Sequence, residues 1–193
     1  GRLTRKHHRS SKKTYPLVKN IRARCPRRFS HWFNRLHITT LAQLSDLVQQ
    51  LPSVLCFSEI KRGSLVCFGN EVVDLVIESL EVIETQSVLI SFDYDALVYA
   101  RNKYHKPIGW VLPGWTKKNQ IKADKLSPEY LFVNADFCPD DKKDLWSGSW
   151  QWVVYTINAV EEIKKYADLG INIIETNRIS ELQYELDAAI DDK

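Results

Sequence analysis

Val88-Leu89-Ile90-Ser91-Phe92 is a run of β-forming, mostly apolar side chains, and the stretch Asp93 to Lys103 that follows it reads as a helix opened by the short carboxylate of Asp93. Ile108 to Pro113 then reads as a second strand. A strand, a helix-length crossover and a strand are what parallel pairing requires, because antiparallel neighbours need only a tight turn. Both runs are apolar almost throughout rather than alternating, which predicts a sheet covered on both faces.

The same alternation extends in both directions. Upstream, Thr40-x-x-Gln43 reads as a capping box, and Leu41, Leu44, Leu47, Val48 and Leu51 fall on one helical face. Val54 to Ile60 reads as a strand, and Glu71 to Val82 as a helix with Val72, Val73, Val76, Leu80 and Ile83 as its apolar set. Downstream, Tyr130 to Asn134 and Trp150 to Ile157 read as strands; Asn158 is placed to cap a helix from Ala159 to Leu169 that stops at Gly170. Ile171 to Thr176 gives a last strand, and Ser180-x-x-Gln183 opens a final helix.

Six strands separated mostly by helices predict an α/β fold with parallel strands and right-handed crossovers. Either an open doubly wound sheet or a closed barrel satisfies that order. No Gly-rich turn follows any strand, so a dinucleotide-binding domain has little support. A TIM-type (β/α)8 barrel has eight strands and about 250 residues, so the expectation is an incomplete barrel with about six of its eight βα units. A chain that starts at Gly1 and contains no Met is read as a fragment in the same sense. The expected organisation is a basic N-terminal segment or loop over 1–37 and the C-terminal three-quarters of a barrel over 38–193.

With 193 residues, 44% of them hydrophobic and six of them Trp, the chain can build a core, which excludes a disordered tail, a collagen-like repeat or a coiled coil. No apolar run approaches the about 18 residues of a membrane-spanning helix. The net charge of +3 conceals an asymmetry: residues 1–45 hold twelve of the 27 Lys and Arg and none of the 24 Asp and Glu. Such a split marks a nucleic-acid-binding arm, an anionic-membrane patch or a basic loop on an acidic domain. Cys25, Cys56, Cys67 and Cys138 are widely spaced, with no C-x-x-C pair, and read as buried thiols of a reducing, cytoplasmic compartment rather than a zinc site or a disulfide framework.

In a barrel the chemistry sits at the carboxyl ends of the strands. The residues to inspect there are Glu59 and Lys61, Ser91 and Asp93, Trp110 to Pro113, Asn134 and Asp136, Tyr155, Thr156 and Asn158, and Glu175, Thr176 and Asn177. Glu59 and Lys61 are the most informative, since side chains two apart in a strand share a face. If that face is the barrel interior, Glu59 can ligate a hard divalent cation and Lys61 can meet an anion; otherwise the two form an ion pair or lie in solvent past the strand. Tyr155 either lines a wall for a small ligand or packs in the core. Most of the tryptophans read as packing, and His31, His37 and His105 have no acid or nucleophile at a telling spacing.

Taken in order, the helix from Thr40-Leu41, Ser58-Glu59-Ile60-Lys61, Leu89-Ile90-Ser91-Phe92 with Asp95-Ala96-Leu97, Gly109-Trp110-Val111-Leu112-Pro113, Tyr130-Leu131-Phe132-Val133-Asn134, Val154-Tyr155-Thr156-Ile157-Asn158 and Gly170 to Thr176 resemble the glycerophosphodiester phosphodiesterases, and bacterial members most. The resemblance runs from about Ile38 to Leu182. It implies a TIM-type barrel that hydrolyses glycerophosphodiesters to glycerol 3-phosphate and an alcohol with a divalent cation, Mg²⁺ or Ca²⁺. The family's Glu-x-Lys motif falls on Glu59, implied as a metal ligand, and Lys61, implied as the catalytic group that offsets negative charge on the phosphate. Tyr155 takes the place of the aromatic in the family's Trp-Thr-x-Asn segment, and Tyr155, Asn134 and Trp110 are the substrate-binding residues expected. The family's His-Arg-Gly, Glu-x-Asp and His-Asp segments have no counterpart, and its Thr-Asp reads Thr176-Asn177. Gly1-Arg2-Leu3-Thr4 is similar to the segment that follows His-Asp, so the polypeptide alone is expected to be inactive. On this reading the partner is a small-molecule diester, no nucleic acid is expected, and open sheet edges favour a homo-oligomer. The alternative is a non-catalytic, degenerate barrel that binds nucleic acid or an anionic membrane through its basic N-terminal segment.

Overall fold

A computed structural model describes residues 39–191, together with the backbone of the strands β1 (Arg22–Ala23) and β2 (Leu36–His37), which pair antiparallel. Apart from those two strands, the expected basic segment 1–37 lies outside the described residues, and so do His7, His8, Cys25 and His31. The chain divides into two compact units, one of Gly1–Cys56 and Ile60–Ser87, the other of Phe57–Glu59 and Val88–Lys193.

In the first unit α1 (Leu41–Gln49) begins with the expected capping box: Thr40 Oγ1 accepts from Gln43 N at 3.1 Å, and Gln43 Oε1 accepts from Thr40 N at 3.0 Å. These bonds satisfy two amide groups that a helix start leaves without partners. Val48, Leu80 and Ile83 form the core of the unit, with Leu41, Leu44 and Val76 packed against it. The helix expected over 71–82 is shorter: α3 (Glu71–Ser79) ends at Leu80, and a 3-10 segment (Glu81–Gln86) with a kink at Ile83 follows. The Gln86 side-chain amide donates to Leu51 O at 2.8 Å and Val54 O at 3.1 Å, which fastens that segment to the chain after α1. A short helix, α2 (Arg62–Phe68), was not expected; it buries none of its residues.

The sheet has six strands, β3 (Cys56–Ile60), β4 (Ser87–Ser91), β5 (Ile108–Val111), β6 (Tyr130–Asn134), β7 (Gln151–Tyr155) and β8 (Ile173–Glu175), lying side by side in chain order. The pairs from β4 to β8 are parallel. A doubly wound sheet reverses its strand order at a switch point, whereas a barrel adds every strand on the same side. The unbroken order β3 to β8 is therefore that of a barrel wall. Ring contacts show the curl. In a flat sheet β3 and β6 would be about 14 Å apart, three inter-strand spacings, with side chains standing parallel. Yet the Phe57 ring meets Phe132 edge-on at 5.4 Å and Tyr130 at 5.0 Å. The expected incomplete TIM-type barrel is what the second unit contains.

Strand alternation splits the sheet into two faces. Val88, Ile90, Val111, Phe132 and Val153 form the inner core, with Phe57, Phe92, Tyr130, Tyr155 and Ile173 packed against it. Gly109 lies on this face because a Cβ there would come within 2.8 Å of Ile90 and 2.9 Å of Phe132. The outer face carries Leu89, Ile108, Trp110, Leu131, Val133 and Val154, all buried. The crossover helices are α4 (Tyr94–Tyr104), α5 (Lys117–Leu126) and α6 (Val160–Asp168), and α7 (Ile179–Asp191) follows the last strand. Asp93 caps α4 as expected, its Oδ1 accepting from Ala96 N at 3.0 Å, and Gly170 ends α6 with φ +87. Between β6 and β7 two 3-10 turns (Ala135–Phe137 and Lys142–Asp144) replace a helix, and tryptophans fill the place. Trp115 stacks on Trp146 with ring centres 4.1 Å apart, Trp152 leans on both, and Trp150 meets Trp152 edge-on.

Two expectations are corrected. Asn158 does not cap α6; Ala159 holds that position without a side-chain bond. The described cysteines form no disulfide and are not buried: Cys67 is exposed, and Cys56 and Cys138 are half-buried, with partial burial pushing the Cys138 thiol up to about 11. Among the described residues no helix is long and apolar enough to cross a membrane.

Candidate active site

Glu59 is the penultimate residue of β3, two past the inward-facing Phe57, and so shares its face. It is half-buried, and its Oε1 is shut off from solvent. Lys61 lies one residue beyond the strand, exposed, at the N-cap of α2 with an extended backbone. Glu59 belongs to the second unit and Lys61 to the first.

At the other side of the sheet the last rungs align three expected or inspected residues. Asn134 of β6 pairs with Tyr155 of β7, and Tyr155 with Glu175 of β8. Two rungs below, Phe132, Val153 and Ile173 supply an apolar floor. Tyr155 is half-buried, and burial, then the charge of Glu175, then that of Glu59 push its hydroxyl above the ordinary phenol value of 10.0. The phenol thus stays protonated at neutral pH, a donor and acceptor on the same inner face as Glu59 and Glu175, which come from the two edge strands. The peptide between Tyr155 and Thr156 is cis.

Asn134 is committed to its own loop and Asn158 to the loop after β8. Asn134 Oδ1 accepts from Asp136 N at 2.8 Å. Asn158 Oδ1 accepts from Thr176 Oγ1 at 3.0 Å and Asn177 N at 3.1 Å, and its backbone carbonyl accepts from Arg178 Nη1 at 2.8 Å. These bonds latch the segment after Tyr155 to the segment after Glu175. Trp110 does not join the group. It is 1% exposed on the outer face, edge-on to Tyr94 of α4 with ring centres 5.3 Å apart, its Nε1 donating to Phe92 O. A ligand on the inner face has no access to it. His105, at the left-handed C-cap of α4, lies at the amino end of the sheet, away from this rim.

Mg²⁺ and Ca²⁺ prefer several hard oxygen ligands. Glu59 and Glu175 offer oxygens of the right kind, but among the described residues no three acidic, His or Cys side chains converge closely enough to hold a metal. The described residues fit such an ion in chemistry and fall short in number.

Solved structures with this arrangement are informative. A glycerophosphodiester phosphodiesterase from Parabacteroides distasonis superposes with a TM-score of 0.67 at 17% identity, over 92% of this chain and 72% of its own. A phosphodiesterase from Oleispira antarctica, in complex with the product sn-glycerol-3-phosphate, superposes with a TM-score of 0.76 at 18% identity, over 96% of this chain and 75% of its own. The fold is that of the glycerophosphodiester phosphodiesterases. No family model matches the sequence, and no curated protein matches it. The glycerophosphodiester phosphodiesterase resemblance read from the order of strand motifs is thus matched by the fold.

Proposed function

We propose that this chain is the greater part of a glycerophosphodiester phosphodiesterase barrel, acting on glycerophosphodiesters to give glycerol 3-phosphate and an alcohol. The observation that carries the reading is that Glu59 and Tyr155 both lie on the inner face at the carboxyl ends of a singly wound sheet, in a fold shared with an enzyme that holds sn-glycerol-3-phosphate. Hydrolysis of a phosphodiester needs its negative charge offset while a proton reaches the leaving alcohol. Glu59 is assigned to a divalent cation, which when bound supplies Lewis-acid stabilisation of the phosphoryl oxygens. Tyr155 is assigned to a wall for the glycerol moiety and Asn134 to its side; Lys61, which the resemblance implies for the phosphate charge, belongs to the other compact unit.

The resemblance puts both proton-transferring histidines in segments without counterpart here. The chain by itself is therefore expected to bind product and not to turn over. Binding of sn-glycerol 3-phosphate in the presence of Mg²⁺, followed by NMR, is expected for the 193-residue chain and should weaken about tenfold in Glu59→Ala, the scale of a lost interaction with a charged group. An unchanged spectrum at millimolar ligand would contradict the reading. Hydrolysis of glycerophosphocholine by the purified chain, abolished by Glu59→Ala, would refute the inactivity while supporting the site.

A further inference from the structure

Of the polar residues on the upper rim, most are already engaged: Asp93 caps α4, Asn134 caps the turn after β6, and Asn158 latches the two loops. Glu175 differs. Its backbone carbonyl accepts from Ile157 N, but among the described residues nothing pairs with its carboxylate, which is exposed at the end of β8 beside Tyr155. Neighbouring strands lie about 5 Å apart, and Tyr155 and Glu175 are in register on the same face, so a ligand resting on the Tyr155 ring comes within reach of Glu175.

A lone carboxylate here is puzzling for a site that takes an anionic diester, since it repels the phosphate. It becomes favourable if the ligand presents hydroxyl donors, because an ionised carboxylate is acceptor-only and its O–H···O⁻ bonds are the strong, charge-assisted kind. We propose that Glu175 recognises the glycerol end of the ligand, its carboxylate accepting hydrogen bonds from the hydroxyls of a polyol phosphate laid against Tyr155. This rests on the phosphodiesterase reading above and adds a specificity residue to it. Glu175 selects polyol phosphates against alkyl phosphates of the same charge.

The two contributions have opposite signs, which makes the test sharp. Dissociation constants of sn-glycerol 3-phosphate and of n-propyl phosphate, which lacks the hydroxyls, would be measured by NMR titration for the full chain, Glu175→Ala, Glu175→Gln and Glu175→Asp with Mg²⁺ present. The expected result is about tenfold weaker glycerol 3-phosphate binding in Glu175→Ala, a smaller loss in Glu175→Gln, recovery in Glu175→Asp, and equal or tighter propyl phosphate binding in the first two. A thermal melt matching that of the unaltered chain assigns the loss to recognition. Equal changes for both ligands, or none, would overturn the proposal and leave the phosphodiesterase reading standing; a full chain that binds neither ligand would remove both.

Discussion

Gly109 shows how tightly the inner face is filled. Its missing side chain leaves room for Ile90 and Phe132, 7% and 4% exposed, to close over β5, and a Cβ would stand within 3 Å of both. Neither neighbour is a flexible tip that can swing aside. Gly109→Ala is expected to destabilise by about 1–3 kcal/mol through overpacking, read as a lower denaturation midpoint at unchanged slope; an unchanged midpoint would mean the face is looser than its geometry. The same crowding explains what was hidden at this scale. Every residue of β5 is buried, so alternation of apolar and polar side chains does not tell inside from outside, and the sequence alone assigns Trp110 to neither face. Glu59 and Tyr155 stand out in the sequence because each is a polar or amphipathic residue near the end of an apolar strand, while the face each takes comes from the sheet. The partner of Tyr155 across β8 does not stand out, since register is a long-range property that local spacing does not encode.

At the scale of elements, caps and strand runs were readable, and polar helices were not. Thr40 with Gln43, Asp93 and Gly170 act locally, so their residue types announced them. Helix α5 passed unnoticed because it is rich in lysine, with only Ala123 and Leu126 buried, although Thr116 caps it through Asn119 N. Asn158 was misjudged because its bonds go to residues about twenty positions on. Asn158→Ala should remove the two bonds of its Oδ1, lowering stability by about 1–3 kcal/mol and loosening the ends of β7 and β8; amide exchange at Asn177 no faster than before would contradict the latch.

A second clamp works at the opposite end of the sheet. Arg101 of α4 holds Glu129 through two bonds of 2.8 Å, and Ile108 N donates to the same carboxylate. Burial pushes Glu129 up, but the bonds from Arg101 and Ile108 and the charge of Arg101 outweigh it and leave the carboxyl below its ordinary 4.5. A depressed carboxyl stabilises the fold above the unfolded value and loses that contribution as pH falls through the folded one. The melting temperature should therefore drop more steeply on acidification below about pH 4.5 than it does in Glu129→Gln; parallel curves would show that the clamp carries no pH dependence.

For the whole molecule, the alternation of strands and helices was enough to choose a parallel α/β fold, and the count of six strands was enough to call for an incomplete barrel. The chain covers about three-quarters of the length of the phosphodiesterases it superposes on. Among the described residues β3 and β8 each have a single strand neighbour, and unpaired edges recruit other chains. Self-association that grows with concentration is the expected outcome in light scattering, and a monodisperse monomer melting in one cooperative transition would count against it. The central claim, that the inner rim binds a glycerol phosphate, is tested most directly by a crystal structure of the chain soaked with sn-glycerol 3-phosphate and Mg²⁺. The account predicts ligand density against the Tyr155 ring, between Glu59 and Glu175; density elsewhere, or a rim holding only solvent at saturating ligand, would contradict it.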